Sequence, residues 1–122
     1  KQILLVEDSI DNQEIFSFFL EKAGAQVDVV DNGRTAVEKA LKQTYHLILM
    51  DIQIPILDGK GATRLLRENN YKGPIVALTA HALTGQREEI LGAGCNGQIS
   101  KPVTGQALIS QVSFYVEGAA PS

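Results

Sequence analysis

Tryptophan is absent from the 122 residues, and cysteine and methionine occur once each, as Cys95 and Met50. A lone cysteine excludes an internal disulfide and suits a reducing cytosol. The two histidines, His46 and His81, are unclustered, which leaves no zinc site of the usual kind. Charge of positive sign is also short: 11 Lys and Arg stand against 14 Asp and Glu, the formal net charge is -3, and no basic run appears. Nucleic-acid binding rests on neutralising phosphates with Lys and Arg, so this chain alone is a poor candidate for it. No apolar stretch approaches the roughly 18 to 20 residues that span a bilayer. No signal-peptide pattern opens the chain, and direct membrane contact is not expected. Internal repeats, low-complexity tracts and internal linkers are missing too.

What is present is an apolar fraction of 44%, too high for a disordered chain, in a length that suits one domain with one core. Lys1 is not a start methionine, the first strand begins almost at once, and the last residues are small. Residues 1–118 therefore read as one module and 119–122 as a linker-like tail. A module cut from a longer polypeptide has such ends, and so does a trimmed stand-alone protein.

The chain alternates strand and helix signals. Gln2 to Glu7 reads as a short apolar strand. Ser9 caps a helix running to about Ala23, with Ile15, Phe19 and Ala23 on one face and Gly24 as the stop. Gln26–Val30 is a second strand, followed by a helix from Asn32-Gly33 that carries Ala36, Val37, Ala40 and Leu41. His46 to Asp51 is a third strand, its unbroken apolar character predicting burial on both faces, with His46 structural at its start. A loop with Pro55 and Asp58-Gly59 opens the third helix, through Leu65 and Leu66. Ile75–Thr79 is a fourth strand, Thr84 to about Ala93 a helix, Gln98–Ser100 a short fifth strand. The last helix starts near Thr104 and aligns Leu108, Val112 and Val116. Strict alternation predicts an α/β fold with a parallel sheet covered on both sides and right-handed crossovers.

In such a sheet the functional crevice lies beyond the carboxyl ends of the strands. Glu7, Asp8, Asp51, Thr79 and Lys101 all fall there. Asp8 and Asp51 can supply oxygens to a hard cation, with Glu7 reaching it directly or through water. An octahedral ion such as Mg²⁺ is held by few carboxylates together with waters and phosphate oxygens. Asp51 can also be a nucleophile, since a carboxylate forms a covalent acyl phosphate. Thr79 Oγ1 and Lys101 Nζ then suit phosphoryl oxygens. Pro102 can hold its preceding peptide bond cis to aim Lys101, although most X-Pro bonds are trans. Taken singly, each residue has a plainer reading: Asp8 as a charge near a helix N-terminus, Thr79 as a strand end, Lys101 as a surface lysine.

The segments Ile3–Asp8, Leu49–Gly59, Ala77–His81 and Ser100–Val103 resemble those of response-regulator receiver domains, in order and over essentially the whole chain. The resemblance implies a flavodoxin-like (βα)5 fold, a five-stranded parallel sheet in order 2-1-3-4-5 with helices on both faces. It implies that Asp51 is the phosphoacceptor, served by the phosphohistidine of a histidine kinase or histidine-phosphotransfer domain. Asp8 would be a direct Mg²⁺ ligand, Glu7 an outer one, and the backbone carbonyl of Gln53 another. Thr79 and Lys101 would read the phosphoryl group, while positions 53 and 81 would tune how water reaches it. The domain then promotes its own phosphorylation and dephosphorylation. The local wording looks most like receivers fused to hybrid sensor histidine kinases. A cytoplasmic domain of a kinase, itself membrane-anchored or not, is the corresponding expectation, and weak dimerisation is compatible with it.

One departure stands out. Receivers usually carry Tyr or Phe three residues before the lysine of the fifth strand, as a ring that turns inward on phosphorylation, and here that residue is Gln98. A glutamine must find new hydrogen-bond partners where a ring gains from burial. The alternative function is therefore a receiver-fold interaction module that does not switch in the usual way. A phosphatase with an aspartyl nucleophile ranks lower, because such enzymes place a second Asp two residues on, where Gln53 stands. A flavin carrier ranks lower still, because acids crowd the crevice.

Overall fold

The computed structural model describes residues 1–80, 84–101 and 103–116. Strands and helices alternate as β1 (Gln2–Val6), α1 (Ile10–Lys22), β2 (Gln26–Val30), α2 (Gly33–Lys42) and β3 (Leu47–Asp51). The series continues with α3 (Gly59–Glu68), β4 (Ile75–Thr79), α4 (Thr84–Ala93), β5 (Gly97–Ser100) and α5 (Gly105–Val116). The strands pair in parallel in the order β2-β1-β3-β4-β5. The expected fold class and strand order hold. No helix among the described residues is long and apolar enough to cross a membrane.

Each parallel pair needs a crossover, and the helices that supply it cover the sheet. This is why β3 and β4 show unbroken apolar runs: all five residues of each are buried. On one face Val6, Ile48, Met50 and Ala77 pack against Ala36, Val37 and Ala40 of α2, Leu66 of α3 and Ile90 of α4. On the other, Ile3, Leu49, Leu78 and Ile99 pack against Phe16 and Leu20 of α1 and Leu108 and Val112 of α5.

The inward stripe of α1 differs from expectation by one residue. Phe16 and Leu20 are buried, whereas Ile15 is 48% exposed. The sequence offers two overlapping i, i+4 series, both inside α1, and the one that packs on the sheet is Phe16 and Leu20. Ser9 accepts from the Asn12 N–H at 3.3 Å and starts the helix at Ile10, while Ala23 already lies outside it as the C-cap. Leu41, expected in the α2 stripe, is likewise 46% exposed. His46 plays the structural part expected of it: its Nδ1 accepts the Gln2 N–H, and its own N–H donates to the Gln2 carbonyl. Cys95 is buried beside the Thr63 hydroxyl at 3.7 Å, and burial pushes its thiol above the ordinary range.

The segment joining β3 to α3 is fixed from several sides. A Cβ on Gly59 would run into the Asp51 carbonyl, and one on Gly33 into the Leu57 carbonyl, so both close approaches need glycine. Asp58 caps α3 by accepting from the Gly61 N–H at 2.7 Å. Leu57 turns inward against the core, and its N–H donates to the Pro55 carbonyl at 2.7 Å. That bond spans Ile56, whose φ of 71° makes this a γ-turn of the rare positive-φ kind. A β-branched residue there stores strain of about 1–3 kcal/mol.

At the far end of the sheet Arg67 ties two connections together, α3–β4 and α4–β5. Its guanidinium donates to the carbonyls of Gly94, Tyr71 and Gly73 and to Asn96 Oδ1, at 2.7–3.0 Å. Asn96 Oδ1 also accepts the Ile75 N–H that opens β4. Removing the guanidinium orphans several carbonyls at once. Arg67→Ala is expected to lower the urea-unfolding free energy by about 2–4 kcal/mol, with Arg67→Lys recovering little because one ammonium cannot span the fork. Loss of less than about 1 kcal/mol in equilibrium unfolding followed by circular dichroism would contradict the tie.

Candidate active site

β1 and β3 lie side by side in parallel, so their carboxyl ends finish at the same edge of the sheet. Glu7 and Asp8 continue directly from β1 and Asp51 closes β3. Their carboxylate oxygens lie within 4.8 Å of one another, two of the residues buried and Asp8 exposed. Thr79 ends β4, paired with Ser100, and Lys101 follows β5. A crevice of about 200 Å³ collects Glu7, Asp8, Asp51, Gln53, Thr79 and Lys101. A concavity of about 460 Å³ along β2, lined by residues such as Val30, Asp31 and Lys39, gathers no such set of acids.

Asp51 is held at both oxygens. Its Oδ1 accepts the Gln53 N–H at 3.0 Å, and its Oδ2 accepts from Lys101 Nζ at 3.0 Å. Only 4% of Asp51 is exposed, so the buried strand delivers its carboxylate to the crevice floor. Glu7, 1% exposed, accepts from the Ser9 N–H at 3.1 Å and from Lys101 Nζ at 3.4 Å. The Lys101 ammonium thus bridges two acids from different strands.

The electrostatics follow from crowding. Burial raises the Glu7 carboxyl above its usual range, against the Ser9 N–H, and the charge of Asp51 adds to the rise. A carboxyl whose folded value is raised favours folding below its unfolded value, and that contribution is lost as pH rises through the folded value. The raised value means that the charged form of Glu7 fits the folded site less well than the neutral form. Burial alone would lower the Lys101 ammonium, but its bond to Asp51 and the charges of Asp51 and Glu7 outweigh that and hold it above the ordinary range. A cluster of hard oxygens with surplus negative charge fits a small divalent cation.

Five of the residues singled out in the sequence are brought together, and Gln53 lines the same crevice. His81 and Pro102 lie outside the described residues, as does the 119–122 tail. Gln98 is not in the crevice; it pairs with Ala77 deeper in the sheet. Two features are not apparent from the sequence. Asn12 and Ser9 line the crevice, a polar pair one turn apart directly after the acids. The other is the ion pairing of Lys101 with both Glu7 and Asp51, where the sequence suggests only phosphoryl oxygens as its partners.

The model of the response regulator receiver domain family matches residues 3–113. This chain is a receiver domain. Among solved structures, the receiver of the sensor histidine kinase PA1611 from Pseudomonas aeruginosa PAO1 is 42% identical. The match covers 96% of this chain and 98% of that one, with a TM-score of 0.88. That structure holds a magnesium ion coordinated in its active site cleft. The co-crystal structure of the Saccharomyces cerevisiae histidine phosphotransfer protein Ypd1 with the receiver of Ssk1 matches at 31% identity. It covers 98% of this chain and 90% of that one, with a TM-score of 0.90. The signal transduction histidine-protein kinase BarA of Escherichia coli K12 is 35% identical over 119 residues; these are 96% of this receiver but 13% of BarA.

The receiver's acid cluster makes a measurable prediction. In magnesium-free buffer with chelator, Glu7→Gln is expected to raise the urea-unfolding midpoint, because a carboxyl disfavoured in its charged form by burial and by Asp51 is replaced by a neutral amide while the Asp51–Lys101 pair remains. Urea unfolding read by circular dichroism checks this. A lower midpoint for the variant would mean that the bonds from Ser9 and Lys101 outweigh the repulsion.

Proposed function

We propose that this receiver accepts a phosphoryl group on Asp51 from the phosphohistidine of a histidine kinase or histidine-phosphotransfer protein, in a Mg²⁺-dependent reaction. The observation that carries the reading is the Asp51 carboxylate, fixed at a buried strand end between Gln53 N–H and Lys101 Nζ within a cluster of acids. An Asp51 oxygen attacks phosphorus, the P–N bond to the donor imidazole breaks, the electron pair leaves with that imidazole, and the ring takes up one proton from solvent. The products are an acyl phosphate and a neutral histidine. Glu7, Asp8, Asp51 and the Gln53 carbonyl would hold Mg²⁺, which supplies charge neutralisation for the phosphoryl oxygens.

Lys101 then has a second task. The added phosphoryl group carries about -1.5 to -2 charges at neutral pH, which draws the ammonium from the acids toward the new oxygens. Thr79, at the end of β4, is suited to bind another phosphoryl oxygen. A parent of the hybrid histidine kinase type, with this domain on its cytoplasmic side, agrees with the likeness to BarA and PA1611. The reaction is tested with acetyl phosphate and intact-protein mass spectrometry. One phosphoryl group is expected to be taken up with Mg²⁺ present, with none in chelator or in Asp51→Asn. No uptake by the wild type with fresh donor would overturn the assignment.

A second reading concerns the response of the domain once Asp51 is phosphorylated. Gln98 carries a buried side-chain oxygen, Oε1, without a hydrogen-bond partner. It stands beside the small Ala77 on the sheet face that Thr79 shares. An orphaned acceptor is costly, and no aromatic ring is available to turn inward. This supports a module that takes up phosphoryl without the usual rearrangement. Amide spectra with and without beryllofluoride separate the two readings. Shifts confined to residues near Asp51 are expected for the non-switching module, and shifts spreading across α4, β5 and α5 would reject it.

A further inference from the structure

Asp8 differs from the other acids of the crevice. Asp51 and Glu7 are buried, and each is held by a backbone N–H group and by Lys101. Asp8 is exposed, and among the described residues its carboxylate has neither a hydrogen bond nor an ion pair. Its aim at the cluster is therefore set by the backbone that carries it. That backbone is the Glu7–Asp8 peptide, which lies past the last registered pairs of β1, Val6 with Val30 and with Met50. The Glu7 N–H still reaches the Val30 carbonyl at 3.0 Å, but the Glu7 carbonyl is beyond the strand pairing. Its donor is the side-chain amide of Gln13, whose Nε2 lies at 2.6 Å. Gln13 is itself fixed in the first turn of α1, its N–H donating to the Ser9 carbonyl at 2.9 Å.

We propose that Gln13 is a positioning residue that makes the acid cluster select Mg²⁺ over a larger divalent cation such as Ca²⁺. This rests on the reading of that cluster as the Mg²⁺ site. Gln13 lines the concavity along β2 and not the crevice, so it acts through the peptide rather than as a ligand. A peptide unit is planar, so holding the Glu7 carbonyl also sets the N–H and Cα of Asp8. With the donor gone, the plane turns toward water and the Asp8 carboxylate swings relative to Asp51. Mg²⁺ demands near-ideal octahedral geometry, whereas Ca²⁺ accepts a more variable set of oxygens. A loosened ligand is therefore a loss for Mg²⁺ and little change for Ca²⁺. Gln13 carries no charge, so its replacement by an apolar residue leaves the electrostatic attraction for both ions as it was.

The test compares the dissociation constants of Mg²⁺ alone and of Ca²⁺ alone, by isothermal titration calorimetry on the intact chain. Gln13→Met, which keeps the length of the side chain and loses the donor, is expected to raise the Mg²⁺ constant about tenfold or more. The Ca²⁺ constant should move by less than about twofold, so that the preference for Mg²⁺ falls. Gln13→Arg returns an N–H donor and is expected to restore the preference, since its added charge weakens both ions alike and cancels in the ratio. An unchanged ratio in Gln13→Met overturns the proposal, and so does an equal loss of both ions, which marks a purely structural residue. Failure of Gln13→Met to fold, or of Gln13→Arg to recover the ratio, overturns it as well. Wild type that binds neither ion would sink the reading of the acid cluster as a metal site, and this proposal with it.

Discussion

Like charges confined at the end of a buried sheet govern this molecule. Glu7, Asp8 and Asp51 lie within 4.8 Å of one another, and two of them are almost wholly removed from water. Nothing in the local sequence favours that arrangement for its own sake. It persists because Lys101, brought in from a distant strand, donates to two of the acids, and because Ser9 and Gln53 add backbone N–H groups. The geometry is compensated rather than relaxed. A site in that condition responds to any cation or anion that enters, which is the property a charge-driven signalling domain needs.

The fold serves this tension by being stiff around it. β3 is buried over its whole length, so Asp51 cannot withdraw along the strand. The chain leaving it is clamped by the close approach of Gly59 to the Asp51 carbonyl and by the cap at Asp58. At the opposite end of the sheet, Arg67 secures the entrances to β4 and β5. Strand ends that cannot slide keep Thr79 and Lys101 level with Asp51.

Much of this was legible in the sequence for one reason: parallel sheets place every strand's carboxyl end on one side. Once the alternation of strands and helices is read, Glu7, Asp8, Asp51, Thr79 and Lys101 are gathered without further assumption. Features set by competition between nearly equal alternatives were not legible. The phase of α1 hinged on which of two apolar series inside the capped helix, Ile15–Phe19 or Phe16–Leu20, faced the sheet. The double pairing of Lys101 depends on side-chain reach across strands, which spacing along the chain does not encode. The γ-turn at Ile56 runs against residue preference, so preference could only point away from it.

Burial of the single thiol has a practical consequence. Cys95 is 6% exposed and its sulfur is held in the poorly ionised form, so maleimides and oxidants that attack thiolates find little to react with in the native domain. A cysteine introduced on the surface would therefore be labelled alone. That makes the wild-type background suitable for placing paired spin labels or fluorophores without first deleting a native residue.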